Sequence, residues 1–363
     1  MKKIISIMLV ILMAVSLVAC AQQPAGNDQP ATTNPPVAPA TSEAPVTSDA
    51  PAEPPAAASE YAKGVNDKYA KAGLARGDMK LTYGSPVLGN DYWDGVKQGV
   101  EAAATEFAVD VNIVSPGAQS DLAAYLILIE TAIAQRVDGI LSGSNNQASA
   151  PPVFSQAVEA NIPIVSVDND APGSGRLYYI GTSNYNAGFG AGQLMVEQVG
   201  GPGEVAIVTG SLTGDSALAR MDGFEKALEG SGITVVTKEV TEGDAAIAVQ
   251  KAEAIANAYP DLKGVFGVQV YDGPGAATVN TERNLGWIVI GFDEVPALMK
   301  GIEEGFAYCT TVQRTYYMGY MGIKYLIDIL EGNAPADEVV DSGVQYVTKD
   351  MLATYKEDLR KID

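Results

Sequence analysis

The chain runs to 363 residues and carries 44 acidic against 23 basic side chains, a formal charge of −21 with an isoelectric point near 4.3. A polyanion of this kind repels nucleic acid, whose binding depends on Lys and Arg meeting phosphates. There is no histidine, which excludes a histidine general base, a Ser-His-Asp triad and histidine-ligated zinc. No metal or cofactor is expected. Of the two cysteines, Cys20 lies near the amino end and Cys309 in the apolar run FAYCTTV. No intrachain disulfide is expected, and Cys309 reads as a small buried apolar residue rather than a nucleophile.

Taken in chain order, Met1-Lys2-Lys3 is a short basic start followed by an apolar run from Ile4 to Ala19. That layout predicts a secretory signal peptide over residues 1–19, too short for a dependable membrane span. It ends in Leu17-Val18-Ala19-Cys20, which resembles the lipobox of bacterial lipoproteins and implies cleavage before an acylated Cys20. Each buried CH₂ contributes roughly 0.8 kcal/mol, so two or three acyl chains hold a protein on a bilayer. Residues 20–59 are rich in Pro, Ala, Thr and Ser with almost nothing large and apolar. They read as a semi-extended tether, and residues 60–77 as a weakly patterned helical lead-in.

The remaining residues, about 285, suffice for two compact lobes. They open with LTYGSPVLGNDYWDGVKQGVE (Leu81–Glu101), a strand, a polar loop and a helix. Ser85, Asn90 and Asp91 supply donors and acceptors beside the adjacent rings of Tyr92 and Trp93. Flat rings next to short polar groups suit a ligand with an apolar face and a hydroxylated rim, such as a sugar. The same two rings also fit the start of an amphipathic helix packed on the core.

Strand-like runs then recur: Leu81–Gly84, Val111–Val114, Val137–Leu141, Ile162–Val167 and Leu177–Ile180, followed by Val205–Thr209, Ile233–Val236, Gly264–Val268, Trp287–Gly291 and Ala307–Val312. Near-continuous β-branched runs alternating with helical spacing predict α/β architecture with parallel sheets. GVEAAATEFAVDVNIV (Gly99–Val114) and GFEKALEGSGITVVTK (Gly223–Lys238) occupy the same place in the two series. Their shared Gly-x-Glu suggests close helix-to-sheet approach in two similar lobes, and paired lobes imply a cleft. Ligand contacts gather at strand carboxyl ends. There the sequence puts Asp168-Asn169-Asp170, Gln269 and Asp272, Asp293-Glu294 and Gln313, with Arg220 near the start of a helix. Singly, each acid also suits a helix N-cap; for Asp170 and Glu294 the cap or surface role fits better.

IPIVSVDNDAP (Ile162–Pro172), YIGTSNYNAG (Tyr179–Gly188), ALARMDGF (Ala217–Phe224), VIGFDEVP (Val289–Pro296) and NDYWDGV (Asn90–Val96) together resemble the ribose-binding-protein-like type I solute-binding proteins. These are extracytoplasmic sugar receptors of ABC importers. The resemblance runs from about Lys80 to the carboxyl end. It implies two similar doubly wound parallel-sheet lobes joined by a three-segment hinge: residues 78–183 plus 314–341, and 184–313 plus 342–363. First-lobe contacts are carried over onto Ser85, Asn90, Tyr92, Trp93 and Asp168, and second-lobe and hinge contacts onto Arg220, Asp293 and Gln313. Three positions depart from a ribose receptor. Asn169 replaces a second Arg. Gly143 replaces an Asn, whose role passes to Ser144 or Asn145. Gln269 aligns with another Asn, with Asp272 an equal candidate.

The resemblance implies a monomeric, lipid-anchored receptor that closes on a monosaccharide or polyol and delivers it to a permease. Hinge segments are expected at Gly181–Asn184, Gln313–Thr315 and about Asp341–Gly343. Acidic residues Asp94, Asp222 and Glu225 are expected to meet a permease or water. A receptor for a small polar signal, furanosyl or chemotactic, is the alternative on the same fold. An enzyme is disfavoured: GPGAAT (Gly273–Thr278) lacks the Lys-Ser/Thr of a phosphate loop. A cytoplasmic transcription regulator would need a basic helix-turn-helix ahead of the first lobe.

Overall fold

The computed structural model describes residues 60–143 and 150–362. Cys20, the expected tether, Ser144 and Asn145 lie outside those residues. In chain order the first half comprises α1 (Glu60–Tyr69), β1 (Lys80–Gly84), α2 (Asp91–Phe107), β2 (Asp110–Val114), α3 (Leu122–Ala134), β3 (Gly139–Ser142), α4 (Ala150–Glu159), β4 (Ile164–Val167) and β5 (Tyr178–Gly181). Next come α5 (Asn184–Val199), β6 (Gly203–Thr209), α6 (Asp215–Leu228), β7 (Ile233–Val240), α7 (Ala245–Ala258), β8 (Gly264–Gly267), α8 (Asp272–Arg283), β9 (Ile288–Phe292), α9 (Pro296–Glu304) and β10 (Cys309–Gln313). The chain closes with α10 (Thr315–Leu330), β11 (Val339–Asp341), β12 (Val344–Thr348) and α11 (Tyr355–Asp358).

These strands form two six-stranded sheets of matching order, β11-β5-β4-β3-β1-β2 and β12-β10-β9-β8-β6-β7. Every residue of the central strands β3, β4 and β8 is buried, which is why those runs show no polar alternation. All pairings are parallel except β12, which runs antiparallel to β10. The chain passes between sheets after β5, after β10 and between β11 and β12. Asp341 ties two of these passages together. Its carboxylate accepts from the Ser183 backbone N–H at 2.8 Å, the Gly343 N–H at 2.9 Å and the Asn186 amide at 3.1 Å.

The expected helix-to-sheet approach at Gly-x-Glu is a helix-to-helix approach instead. A Cβ at Gly99 would lie 2.0 Å from the Tyr316 carbonyl oxygen, and one at Gly319 would lie 2.0 Å from that of Val96. In the other lobe a Cβ at Gly223 would meet the Tyr185 carbonyl oxygen at 2.1 Å, and one at Gly188 that of Arg220 at 1.9 Å. In each lobe, then, the cleft-entering helix (α2 or α6) crosses the helix that follows a passage (α10 or α5) backbone against backbone. Gly99→Ala is expected to destabilise the fold by about 1–3 kcal/mol, because the contact is rigid main chain. Gly64→Ala, with nothing within 4 Å, should be neutral or slightly stabilising. Urea midpoints of the two variants check this.

The lead-in is part of the first lobe. Ala62, Val65 and Tyr69 of α1 enter the same apolar cluster as Val96 and Met318, and the Tyr61 hydroxyl donates to the Leu177 carbonyl.

Candidate functional site

The loops at the carboxyl ends of both sheets enclose a cavity of about 580 Å³. Two aspartates stand at equivalent points in it. Asp168 follows β4 and Asp293 follows β9, each with left-handed backbone, φ 68° and 65°. Asp tolerates this region better than most residues, at a cost of roughly 1–2 kcal/mol. The neighbouring strand holds each one the same way. The Asp168 N–H donates to the Ile180 carbonyl at 3.1 Å, and its own carbonyl accepts from the Tyr179 hydroxyl at 2.8 Å. The Asp293 N–H donates to Thr311 at 2.9 Å, and its carbonyl accepts from the Thr310 hydroxyl at 2.7 Å.

Two hydrogen-bonded groups meet at the Tyr92 hydroxyl, one around Asp168 and one around Asp293. The Tyr92 hydroxyl donates to Asp168, whose other oxygen accepts from the Asn169 amide at 2.5 Å. The same hydroxyl lies 3.4 Å from Gln313 Oε1, which accepts from Thr182 Oγ1 at 2.8 Å. Gln313 Nε2 then donates to Asp293 at 2.9 Å. Thr182 follows β5 at one passage between the sheets and Gln313 ends β10 at another, so the second group lies where the chain passes between them.

Arg220, on α6, is 7 % exposed. Its Nε donates to Asn184 Oδ1 at 2.8 Å, one Nη to the Val268 carbonyl at 3.0 Å, and its guanidinium carbon sits 3.5 Å from the centre of the Phe292 ring. These contacts fix the fork while leaving N–H groups for an occupant of the cavity it lines. Among the described lining residues it is the one cation, set against Asp91, Asp168, Asp293 and Glu294. That excess of carboxylates disfavours phosphorylated and other anionic ligands.

The aromatic pair lies on the opposite wall. Asn90 caps α2 by accepting from the N–H groups of Tyr92 at 3.0 Å and Trp93 at 3.3 Å, which sets both rings at the cavity. They pack edge to face with centroids 5.4 Å apart. Gly143 makes room for Trp93: a Cβ there would lie 2.6 Å from the indole ring.

Of the residues expected from the sequence, Asn90, Tyr92, Trp93, Asp168, Asn169, Arg220, Gln269, Asp293 and Gln313 line the cavity together. Ser85 and Asp272 do not line it. Ser85 is fully buried, with its hydroxyl donating to the Val87 carbonyl at 2.7 Å. Asp272 accepts from the Thr241 hydroxyl at 2.7 Å and the Gln269 N–H at 2.9 Å. Gly267 and Gly273 bring the start of α8, and Asp272 with it, hard against the sheet; of the glycines of GPGAAT, Gly273 serves that packing and Gly275 the approach of α8 to Ala248 on α7. Of Gln269 and Asp272, it is Gln269 that lines the cavity, its amide lying over Gly210. Gln119 and Ser216 also line the cavity, and no motif pointed to them. Asp94 accepts from the Gly89 N–H at 3.1 Å and Glu225 pairs with Lys238 at 2.7 Å, so both acids are already engaged.

Burial pushes the carboxyls of Asp168 and Asp272 up to about 6, and that of Asp293 upward, against the pull of hydrogen bonds and Arg220. A carboxyl raised on folding contributes stability that is present below its unfolded value, about 3.9, and lost as pH rises through its folded value. The empty protein should therefore melt at higher temperature at pH 5 than at pH 7. A ligand that needs Asp168 as an acceptor should bind more weakly over the same interval, by about tenfold per unit below the carboxyl's value. Melting curves and calorimetry at both pH values check the opposed signs; two flat profiles would contradict them.

A family described as periplasmic binding protein domain matches residues 83–334. The chain is 25% identical over 280 residues to a D-ribose/D-allose-binding protein of Pseudomonas aeruginosa, covering 72% of this chain and 86% of that protein. Among solved structures, a glucose-galactose binding protein from Geobacillus stearothermophilus is 33% identical, with TM-score 0.65, over 75% of this chain and 98% of its own. A solute binding protein from Burkholderia graminis in complex with D-arabinose is 33% identical, with TM-score 0.67, over 78% and 99% of the respective chains.

Proposed function

Because this chain belongs to the periplasmic binding protein domain family, we propose that it captures an uncharged monosaccharide or polyol between its two lobes. It is an extracytoplasmic binding protein rather than an enzyme. The observation that carries the ligand class is the combination in one cavity of two hydrogen-bonded carboxylates, one guanidinium and two rings. A sugar hydroxyl both donates and accepts, so Asp168 and Asp293 accept from it while Arg220, Asn169 and Gln269 donate to it. Charge-assisted bonds of this kind contribute roughly 1.5–3 kcal/mol each. The rings cover C–H faces. The relatives named for ribose, allose, glucose, galactose and arabinose support the class.

Contacts divided between lobes favour closure, since only the closed form completes them; periplasmic binding proteins are a standard case of hinge closure. The chain then hands its cargo to an ABC permease, acting as a monomer held to the outer face of the cell membrane by acylated Cys20 and the tether of residues 20–59.

A thermal-shift screen over pentoses, hexoses, deoxysugars and inositols tests the ligand class. A ligand at a hundred times its Kd adds about 2.7 kcal/mol, which for lobes of this size is a rise of roughly 5–10 °C. A rise with nucleosides or amino acids and none with sugars would overturn the proposal.

A further inference from the structure

The cavity is not a closed end. A second hollow of about 410 Å³ opens beside it, and Asp91, Thr315 and Glu294 line both. Gly95 lets α2 pack directly on Thr315 beside the junction, where a Cβ would lie 2.3 Å from Thr315 Oγ1. The second hollow also draws its walls from both lobes, with Asp94 and Gln98 on α2 facing Tyr355 and Arg360 of the carboxyl-terminal segment. Arg360 spans it, donating to Gln98 Oε1 at 3.1 Å. Glu294 at the junction is held by the Tyr355 hydroxyl at 2.7 Å. Tyr316, half-buried, supplies a ring on the floor.

Chemically this repeats the first cavity on a smaller scale: carboxylates, an amide and a guanidinium around an aromatic face, walled by both lobes. We propose that it is a second subsite, which takes the second unit of a disaccharide whose terminal unit occupies the first cavity; this rests on the sugar function proposed above. The linkage passes between Asp91, Thr315 and Glu294. A second sugar would replace the exposed Arg360–Gln98 bond with bonds from both side chains to its own hydroxyls.

Titration calorimetry on the full chain tests this, using the best-binding monosaccharide and the disaccharides that carry it as terminal unit. At least one disaccharide should bind about tenfold tighter than the monosaccharide, the equivalent of one or two further net hydrogen bonds. Arg360→Ala and Gln98→Ala should each weaken the disaccharide by about fivefold and leave the monosaccharide within about twofold, since neither lines the first cavity. The subsite is refuted if every disaccharide binds no better than the monosaccharide, or if the variants move both ligands equally or neither. In those cases the sugar function stands. If no sugar of either size binds, the sugar function itself fails and the subsite goes with it.

Discussion

Replacing Arg220 with alanine is expected to abolish measurable sugar binding. The guanidinium is the one cation among the described residues of the cavity. Its removal takes away two or more charge-assisted bonds and leaves the carboxylates of Asp168 and Asp293 without a balancing charge. Breaking such an arrangement costs about 3–5 kcal/mol, a loss of roughly a thousandfold in affinity. From sequence alone the substitution would be expected to leave melting behaviour almost intact, and the structure alters that expectation. Arg220 is also bonded to Asn184 and to the Val268 carbonyl and lies on Phe292, so Arg220→Ala should lower the melting temperature as well. Arg220→Lys separates the two effects: it keeps charge and much of the packing but loses the planar fork, so binding should stay weak while stability largely returns. Near-normal binding in Arg220→Ala would remove this residue from the site.

Asp168→Asn is expected to weaken binding by about a hundredfold while raising the stability of the empty protein. The carboxylate is unfavourable where it sits, because burial pushes it up to about 6. A neutral amide removes that penalty and still offers an oxygen to the Tyr92 hydroxyl. A sugar loses a charged acceptor, which is about 1.5–3 kcal/mol. The pH dependence of binding should flatten at the same time. Unchanged affinity, or a retained loss of binding between pH 7 and 5, would show that another group titrates.

Sequence reached the architecture because buried parallel strands advertise themselves. Ile162–Val167 is apolar but for Ser166, Val137–Leu141 but for Asp138 and Gly139, and the strands β3 and β4 lie inside or within two residues of those runs. Less legible are β11 and β12, two edge strands, VVD and VQYVT, in which Val347 alone is buried. Each sits at the margin of a sheet, where little burial is demanded and so little hydrophobicity is written. The site was legible wherever a polar residue ends a strand or follows it directly, as Gln313 ends β10 and Asp168 and Asp293 follow β4 and β9. It was misread where packing rather than polarity decides direction: Asp272 looks like a ligand contact until Gly267 and Gly273 draw α8 down over it. Gln119 and Ser216 reach the cavity from loop and helix positions whose aim is set by tertiary structure, so no spacing marks them. Gly-x-Glu marked a close approach correctly but not its partner, because a glycine that meets a helix and one that meets a sheet are identical in sequence.

The most direct test is a crystal structure grown with the tightest-binding sugar from the screen. The sugar should lie between the lobes, with Asp168 and Arg220 each within hydrogen-bonding distance of its hydroxyls and the Trp93 ring against its C–H face. Density for the sugar elsewhere, or between the lobes with Trp93, Asp168 and Arg220 all turned from it, would contradict the account.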